Sequence, residues 1–179
     1  MDEIISKISG NVQRFYLEDG KEVAKWIYKD DGTIKKEGKV INGVVKEYFS
    51  SGKIQSEISY KTGELDGLYK LYFESGMLEE TGTFKDTLLE GVYTQYFESG
   101  DIKLEGIYKK GYREGIFKLY YQNGKLESYA IYKNGELDGV LRRYYESGPL
   151  GIEEVYMRGK LKSIKEFDEN GNLTRERVF

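Results

Sequence analysis

At 179 residues the chain has room for one ordinary domain or a short repeat array, and its net charge of -3 argues against a protein built to neutralise a phosphate backbone. It holds no His and no Cys, which removes thiolate nucleophiles, disulfides, zinc-thiolate sites and the commonest general base. The 22 Gly and 17 Tyr, against a single Pro, favour many turns and aromatic-rich strands over helices.

The N-terminal stretch Met1 to Ile8 is acidic at its tip and has no apolar run of signal-peptide or membrane-span length. A cytoplasmic location is expected, although a leader removed beforehand would leave the same sequence. From Tyr16 to Gly20, and again from Tyr28 to Gly32, an aromatic residue is followed by a Gly-containing turn. The spacing there is irregular, as in a terminal repeat with one neighbour in place of two. Residues 1–27 are therefore predicted to form an N-terminal cap.

Residues 28–163 read as the repeat array. An aromatic pair and a turn recur as Tyr48-Phe49 to Gly52, Tyr72-Phe73 to Gly76, Tyr96-Phe97 to Gly100, Tyr120-Tyr121 to Gly124 and Tyr144-Tyr145 to Gly148, with successive glycines 24 residues apart. A second glycine series, Gly43, Gly67, Gly91, Gly115 and Gly139, keeps the same period. Within a unit the apolar pattern alternates, which is the signature of strands. The second position after each first-series glycine is Ile54, Leu78, Ile102, Leu126 or Leu150, and the eighth is Tyr60, Phe84, Tyr108, Tyr132 or Tyr156. On the same face the sixth position is small in Gly82, Gly106 and Ala130, which leaves room for a neighbouring ring to cross the backbone; Ile58 and Glu154 break that rule. Turns such as Asn134-Gly135 supply the positive-φ residues of a tight hairpin. The fold class is thus all-β: an elongated antiparallel β-meander of tandem 24-residue hairpins, each adding about 10 Å. Residues 164–179, where Phe167 to Gly171 closes the pattern one residue early, are predicted to be a C-terminal capping hairpin strand.

The run Tyr132-Lys133-Asn134-Gly135-Glu136-Leu137-Asp138-Gly139, followed by Tyr144-Tyr145 and Gly148, resembles the variant form of the MORN repeat, and the resemblance extends over roughly residues 28–179. It implies a scaffold. Bacterial proteins of such variant repeats are often labelled antitoxin-like, and eukaryotic MORN repeats are associated with protein contacts and membrane-proximal scaffolding. The first two units depart from the pattern, and Arg113 stands where other units have Leu65, Leu89, Leu137 and Leu161.

Three recurring features have bland readings that come first. The acids Asp66, Glu90, Glu114 and Asp138 are expected to pair across the turn with the lysines five residues earlier, Lys61, Lys85, Lys109 and Lys133, and not to hold metal. An evenly spaced ladder also offers no unique acid pair for glycoside hydrolysis. The tyrosines Tyr48, Tyr72, Tyr96, Tyr120 and Tyr144 are expected in the packing between strands, with Phe49, Phe73, Phe97, Tyr121 and Tyr145 on the opposite face. The basic row Lys46, Lys70, Lys118 and Arg142, interrupted by Thr94, reads as a solvated face, or at its sharpest as an attraction to anionic lipid.

Function is most legible where the repeat breaks. Lys109-Lys110-Gly111-Tyr112-Arg113 places three cations and a Tyr in a turn where other units carry Thr62, Asp86 or Asn134, and Tyr and Arg are favoured interface residues. The partner-binding candidates are Lys109, Lys110, Tyr112 and Arg113, with the Phe73, Phe97 and Tyr121 face second. No catalytic residue, metal or cofactor is expected. The expected partner is a protein, such as a toxin blocked by an antitoxin or immunity protein; the alternative is a membrane-proximal, lipid-binding scaffold, and nucleic acid is not expected.

Overall fold

The computed structural model describes residues 4–17, 21–39 and 41–179, and every element there is a strand or a turn. The acidic tip at residues 1–3 and the far end of the turn expected from Tyr16 to Gly20 lie outside the described residues. Two compact units divide the chain, residues 1–88 and 89–179. No described helix is long and apolar enough to cross a membrane.

The first unit contains β1 (Ile4–Ser9), β2 (Val12–Leu17), β3 (Glu22–Tyr28), β4 (Ile34–Gly38), β5 (Gly43–Tyr48), β6 (Ile54–Lys61), β7 (Glu64–Tyr72) and β8 (Leu78–Lys85). The two-residue strand β9 (Leu88–Leu89) falls on the division. In the second unit come β10 (Gly91–Tyr96), β11 (Ile102–Lys109), β12 (Tyr112–Tyr120), β13 (Leu126–Lys133), β14 (Glu136–Tyr144), β15 (Leu150–Met157), β16 (Lys160–Phe167) and β17 (Leu173–Val178). The all-β, mostly antiparallel array of hairpins read from the sequence is present among the described residues. β1 lies parallel to β5, pairing Ile4 with Val45 and Ile5 with Lys46. That return carries Ile4 into a core with Phe15, Ala24, Trp26, Ile41 and Val45, against which Val23 and Tyr60 pack.

Each repeating hairpin has two kinds of turn. In the tight one both central residues have positive φ, as at Asn134 (51°) and Gly135 (86°), so the backbone twist matches that of the strands. In the wider one the second aromatic of the pair holds both ends: Phe73 N–H donates to the Met77 carbonyl at 2.9 Å, and Gly76 N–H donates back to the Phe73 carbonyl at 2.8 Å.

The tight turns are docked onto the preceding hairpin. Gly63 N–H donates to the Ile41 carbonyl, Gly111 to Leu89, Gly135 to Arg113 and Gly159 to Leu137, all at 2.8–2.9 Å. Beside each bond a side chain one residue further on receives the neighbouring amide: Thr62 donates to Asn42 at 2.7 Å, Lys110 to Glu90 at 2.7 Å, Asn134 to Glu114 at 2.9 Å and Arg158 to Asp138 at 3.0 Å. This corrects the expected pairing of each acid with the lysine five residues earlier. The carboxylates cap the next turn, because its left-handed first residue aims an unpaired N–H at them. Where a lysine does take part, it is Lys85 bridging back 19 residues to Asp66 at 3.1 Å.

Cross-strand partners on the aromatic face are matched in size. Tyr69 lies opposite Gly82, Tyr93 opposite Gly106 and Phe117 opposite Ala130, whereas Val45 meets Ile58 and Leu141 meets Glu154. The glycines make room for rings, since a Cβ on Gly106 would sit 2.4 Å from the Phe117 ring and one on Gly82 2.8 Å from the Tyr69 ring. The two exceptions to small residues at this position, Ile58 and Glu154, each face an aliphatic residue on the preceding strand.

Candidate functional site

In the β11–β12 turn the backbone is fixed first. Lys110 sits at φ 51° with its amide held by Glu90, and Gly111 N–H donates to the Leu89 carbonyl at 2.9 Å. The side chains of Lys109 and Lys110 extend into solvent, and Tyr112 is 61% exposed with its ring edge over the backbone of Gly135 in the next turn.

Arg113 points elsewhere. Its guanidinium lies 5.2 Å from the ring centroids of both Phe117 and Tyr132, and its Nη1 donates to the Tyr132 hydroxyl at 3.1 Å. A hydrogen bond with Tyr108 is the main reason its pKa is raised. The opposing residue in the β11–β12 register is Tyr108, just as Leu137 opposes Tyr132 and Leu161 opposes Tyr156. Arg113 therefore does the packing of the repeat leucine with a cation–π contact added. The turn brings Lys109, Lys110 and Tyr112 together at its tip and directs Arg113 into a row of rings, Tyr93, Tyr108, Phe117 and Tyr132, with successive centroids 5.2–5.4 Å apart.

Phe73 lies in the first unit and Phe97 and Tyr121 in the second, all three half-buried at the aromatic end of the wide turn. Tyr121 is engaged: its hydroxyl donates at 2.6 Å to the Tyr144 carbonyl of the next hairpin, and Tyr145 repeats this with Phe167 at 2.8 Å. Lys103 Nζ lies 5.9 Å from the Phe97 ring centroid. Tyr121 and Tyr145 thereby tie one hairpin to the next.

The basic row is not bare. Lys46 lies 3.8 Å from Glu57, Lys118 2.9 Å from Glu105 and Arg142 2.8 Å from Glu153. Glu105 also receives the Tyr120 hydroxyl at 2.8 Å, and with Lys118 as the larger cause its carboxyl is held below the ordinary range.

Two features went unread in the sequence. On the face that carries the ion pairs, the residue after every second-series glycine is aliphatic: Val44, Leu68, Val92, Ile116 and Val140. That period was visible, but the stronger aromatic pattern beside it masked it. In the second unit their cross-strand partners are aliphatic too, Ile107, Ile131 and Val155, where the first unit has Ser59 and Thr83. A shallow depression of about 280 Å³ opens there among Val92, Glu105, Gly106, Ile107, Ile116 and Lys118. The other feature is a polar knot around Glu47, which accepts from Ser6, from Gln13 Nε2 at 3.0 Å and from Ser56 at 3.4 Å, while Tyr28 donates to Gln13 at 2.7 Å. Its members come from β1, β2, β3, β5 and β6, so no sequence motif announces it. Among the described residues no three Asp or Glu side chains are placed to hold a metal ion.

The model of the MORN repeat variant matches the chain at residues 41–62, 65–86, 89–110 and 113–134. Each matched stretch begins at the residue whose carbonyl receives the following tight turn. No curated protein matches. Among solved structures, one titled "Crystal Structure of TarM" is similar at 13% identity with a TM-score of 0.29, covering 74% of this chain and 21% of that one. This chain thus spans about a fifth of that structure's length.

Proposed function

We propose that this chain, which carries four tandem MORN-variant repeats between residues 41 and 134, is a non-catalytic binding module that holds a protein partner at the β11–β12 hairpin tip. One observation carries the reading: the tip presents Tyr112, 61% exposed, beside the solvent-extended Lys109 and Lys110, on a backbone already fixed by Glu90 and Leu89. A rigid loop that offers an amphipathic ring between cations loses little entropy on docking, and Tyr is a favoured anchor. Arg113 supports the tip from inside the ring stack, and Tyr121 is already engaged by the next hairpin through the Tyr144 carbonyl. Occlusion of a toxic partner, in the manner of an antitoxin or immunity protein, is the finer form of this reading. The lipid-scaffold alternative has weaker support, because Lys118 and Arg142, the cations it would use, already face carboxylates.

The test begins with capture from the native host on the full chain, followed by identification of the retained protein and titration of that protein in pure form. Lys109→Glu and Tyr112→Ala should each weaken binding about tenfold or more, about 1.4 kcal/mol, and leave the melting temperature unchanged. Binding untouched by both substitutions would remove the tip as the site. A purified candidate that does not bind at all would count against the module itself.

A further inference from the structure

The ion-paired face of the second unit carries its own complement. Reading across β10 to β15, the register sets Thr94 beside Glu105, Glu105 beside Lys118, Lys118 beside Tyr129, Tyr129 beside Arg142 and Arg142 beside Glu153. Two residues nearer the tight turns runs the aliphatic set Val92, Ile107, Ile116, Ile131, Val140 and Val155. Val92 is 67% exposed, Ile107 48% and Ile116 47%, and the other three are half-buried. The fold does not require these side chains, since Ser59 and Thr83 occupy the Ile107 and Ile131 position in the first unit.

We propose that this face is the contact surface for a second copy of the chain, packed face to face about a two-fold axis that runs parallel to the strands between β12 and β13. Such an axis reverses the order of strands and keeps the position along them. The aliphatic sets then lie on each other, Val92 over Val155, Ile107 over Val140 and Ile116 over Ile131. In the polar row Glu105 meets Arg142 of the second copy and Lys118 meets the Tyr129 ring, while Thr94, already buried within its own chain, takes no part. Both pairs are attractive: an ion pair and a cation–π contact. Moving the axis onto β13 would set Glu105 against Glu153 and Lys118 against Arg142, so the charges also choose the register.

Six strands at a spacing of about 4.8 Å, over about six residues each, give on the order of 500 Å² per copy. Two copies bury about 1,000 Å², the low end for a specific interface, so the dimer should be concentration-dependent. This surface is separate from the hairpin tip and does not rest on the reading proposed for it.

The experiment is sedimentation equilibrium of the full chain over about a hundredfold range of concentration, which should show reversible dimerisation. Ile107→Thr with Ile131→Thr, which copies Thr83, should weaken it about tenfold or more with the strand signal in circular dichroism unchanged. Glu105→Lys alone and Arg142→Glu alone should each weaken it similarly, because each sets like charges opposite each other between copies. The double variant Glu105→Lys with Arg142→Glu should restore dimerisation. Within one chain that same double variant puts the introduced lysine beside Lys118 and the introduced glutamate beside Glu153, so recovery cannot come from repair of the intrachain pairs. A chain monomeric throughout, a dimer indifferent to the threonines, or a double variant weaker than either single one would overturn the proposal.

Discussion

Phe15 and Phe117 are both buried rings on antiparallel strands, but what covers them differs. Phe15 is fully enclosed, with Trp26 at 4.7 Å, Tyr60 at 6.5 Å and aliphatic side chains from β1, β3 and β5 in the same core. Phe117 is covered by Tyr108 at 5.4 Å, Tyr132 at 5.3 Å, the Arg113 guanidinium and the bare backbone of Gly106. One site is enclosed from several directions by strands that fold back; the other lies in a row of rings along a sheet. A repeat can hold its rings by passing them from hairpin to hairpin, but its end has to be closed by a different packing. Here the parallel pairing of β1 with β5 and the polar knot around Glu47 do the closing.

The largest expected effect sharpens that contrast. Of the about 3–5 kcal/mol that removing a buried Phe ring costs, Phe15→Ala should fall at the upper end, because the enclosed site has little freedom to collapse, and Phe117→Ala at the lower end, as Tyr108 and Tyr132 relax toward Gly106. Urea unfolding of both variants decides it. Equal losses would mean that the ring row is as rigidly enclosed as the N-terminal core.

Which parts of this were legible follows from where the causes lie. The hairpin period, the turn residues and the small partners Gly82 and Gly106 are local, so alternation and glycine spacing carried them into the sequence pattern. The β1–β5 pairing was not legible, because Ile4 and Val45 are brought together by the path of β2, β3 and β4 between them and neither has a distinctive neighbour. The acid ladder was seen but assigned to the wrong partner: sequence distance favoured Lys109 for Glu114, while the left-handed turn aimed the Asn134 amide at it. At the break, Tyr112 stands where it was expected at the tip, yet nothing in the string Tyr112-Arg113 says that one side chain faces solvent and the other enters the stack. Neighbours along a strand take opposite faces, but which face is which depends on the register shift between Glu105 and Ile107 on the partner strand.

The second expected effect separates the two regions by pH. Burial first, then the Glu47 and Tyr28 charges, push the Tyr60 phenol up to about 12 from an ordinary 10. A folded-state pKa above the unfolded one favours the neutral phenol in the native chain, so its contribution is fully present below about 10 and is lost as pH rises through about 12. The N-terminal core should therefore weaken in that window. Tyr72 is also pushed up to about 12, by burial and by its bond to Glu57, so the wild type alone cannot isolate Tyr60. Tyr60→Phe should gain stability relative to wild type between those values. A difference between the two that stays flat with pH would place the alkaline loss away from Tyr60, with Tyr72 the next group to test.

The smallest expected effect concerns the one tight turn that departs from the others. Gly63, Gly111, Gly135 and Gly159 occupy its second position at φ between 71° and 86°, but Thr87 takes that place at φ 67°. A β-branched residue there is strained, since its Cβ crowds the backbone in the left-handed region. The Thr87 side chain recovers part of this by donating at 2.6 Å to the Asp86 carbonyl, and its amide is docked on the Leu65 carbonyl like those of the other turns. Thr87→Gly removes the clash and keeps the docking bond, at the expense of greater backbone freedom in the unfolded chain. The strain term of about 1–2 kcal/mol exceeds the glycine entropy cost of about 0.5–1 kcal/mol, so the variant should be more stable by about 0.5–1 kcal/mol. Thermal unfolding of Thr87→Gly, with Gly159→Thr as the reverse change in the second unit, where an added Cβ meets only ordinary contacts, measures both signs. A loss of stability in Thr87→Gly would mean that the Asp86 hydrogen bond outweighs the backbone strain, and that the first unit gains from stiffening its last turn as it does from closing its core.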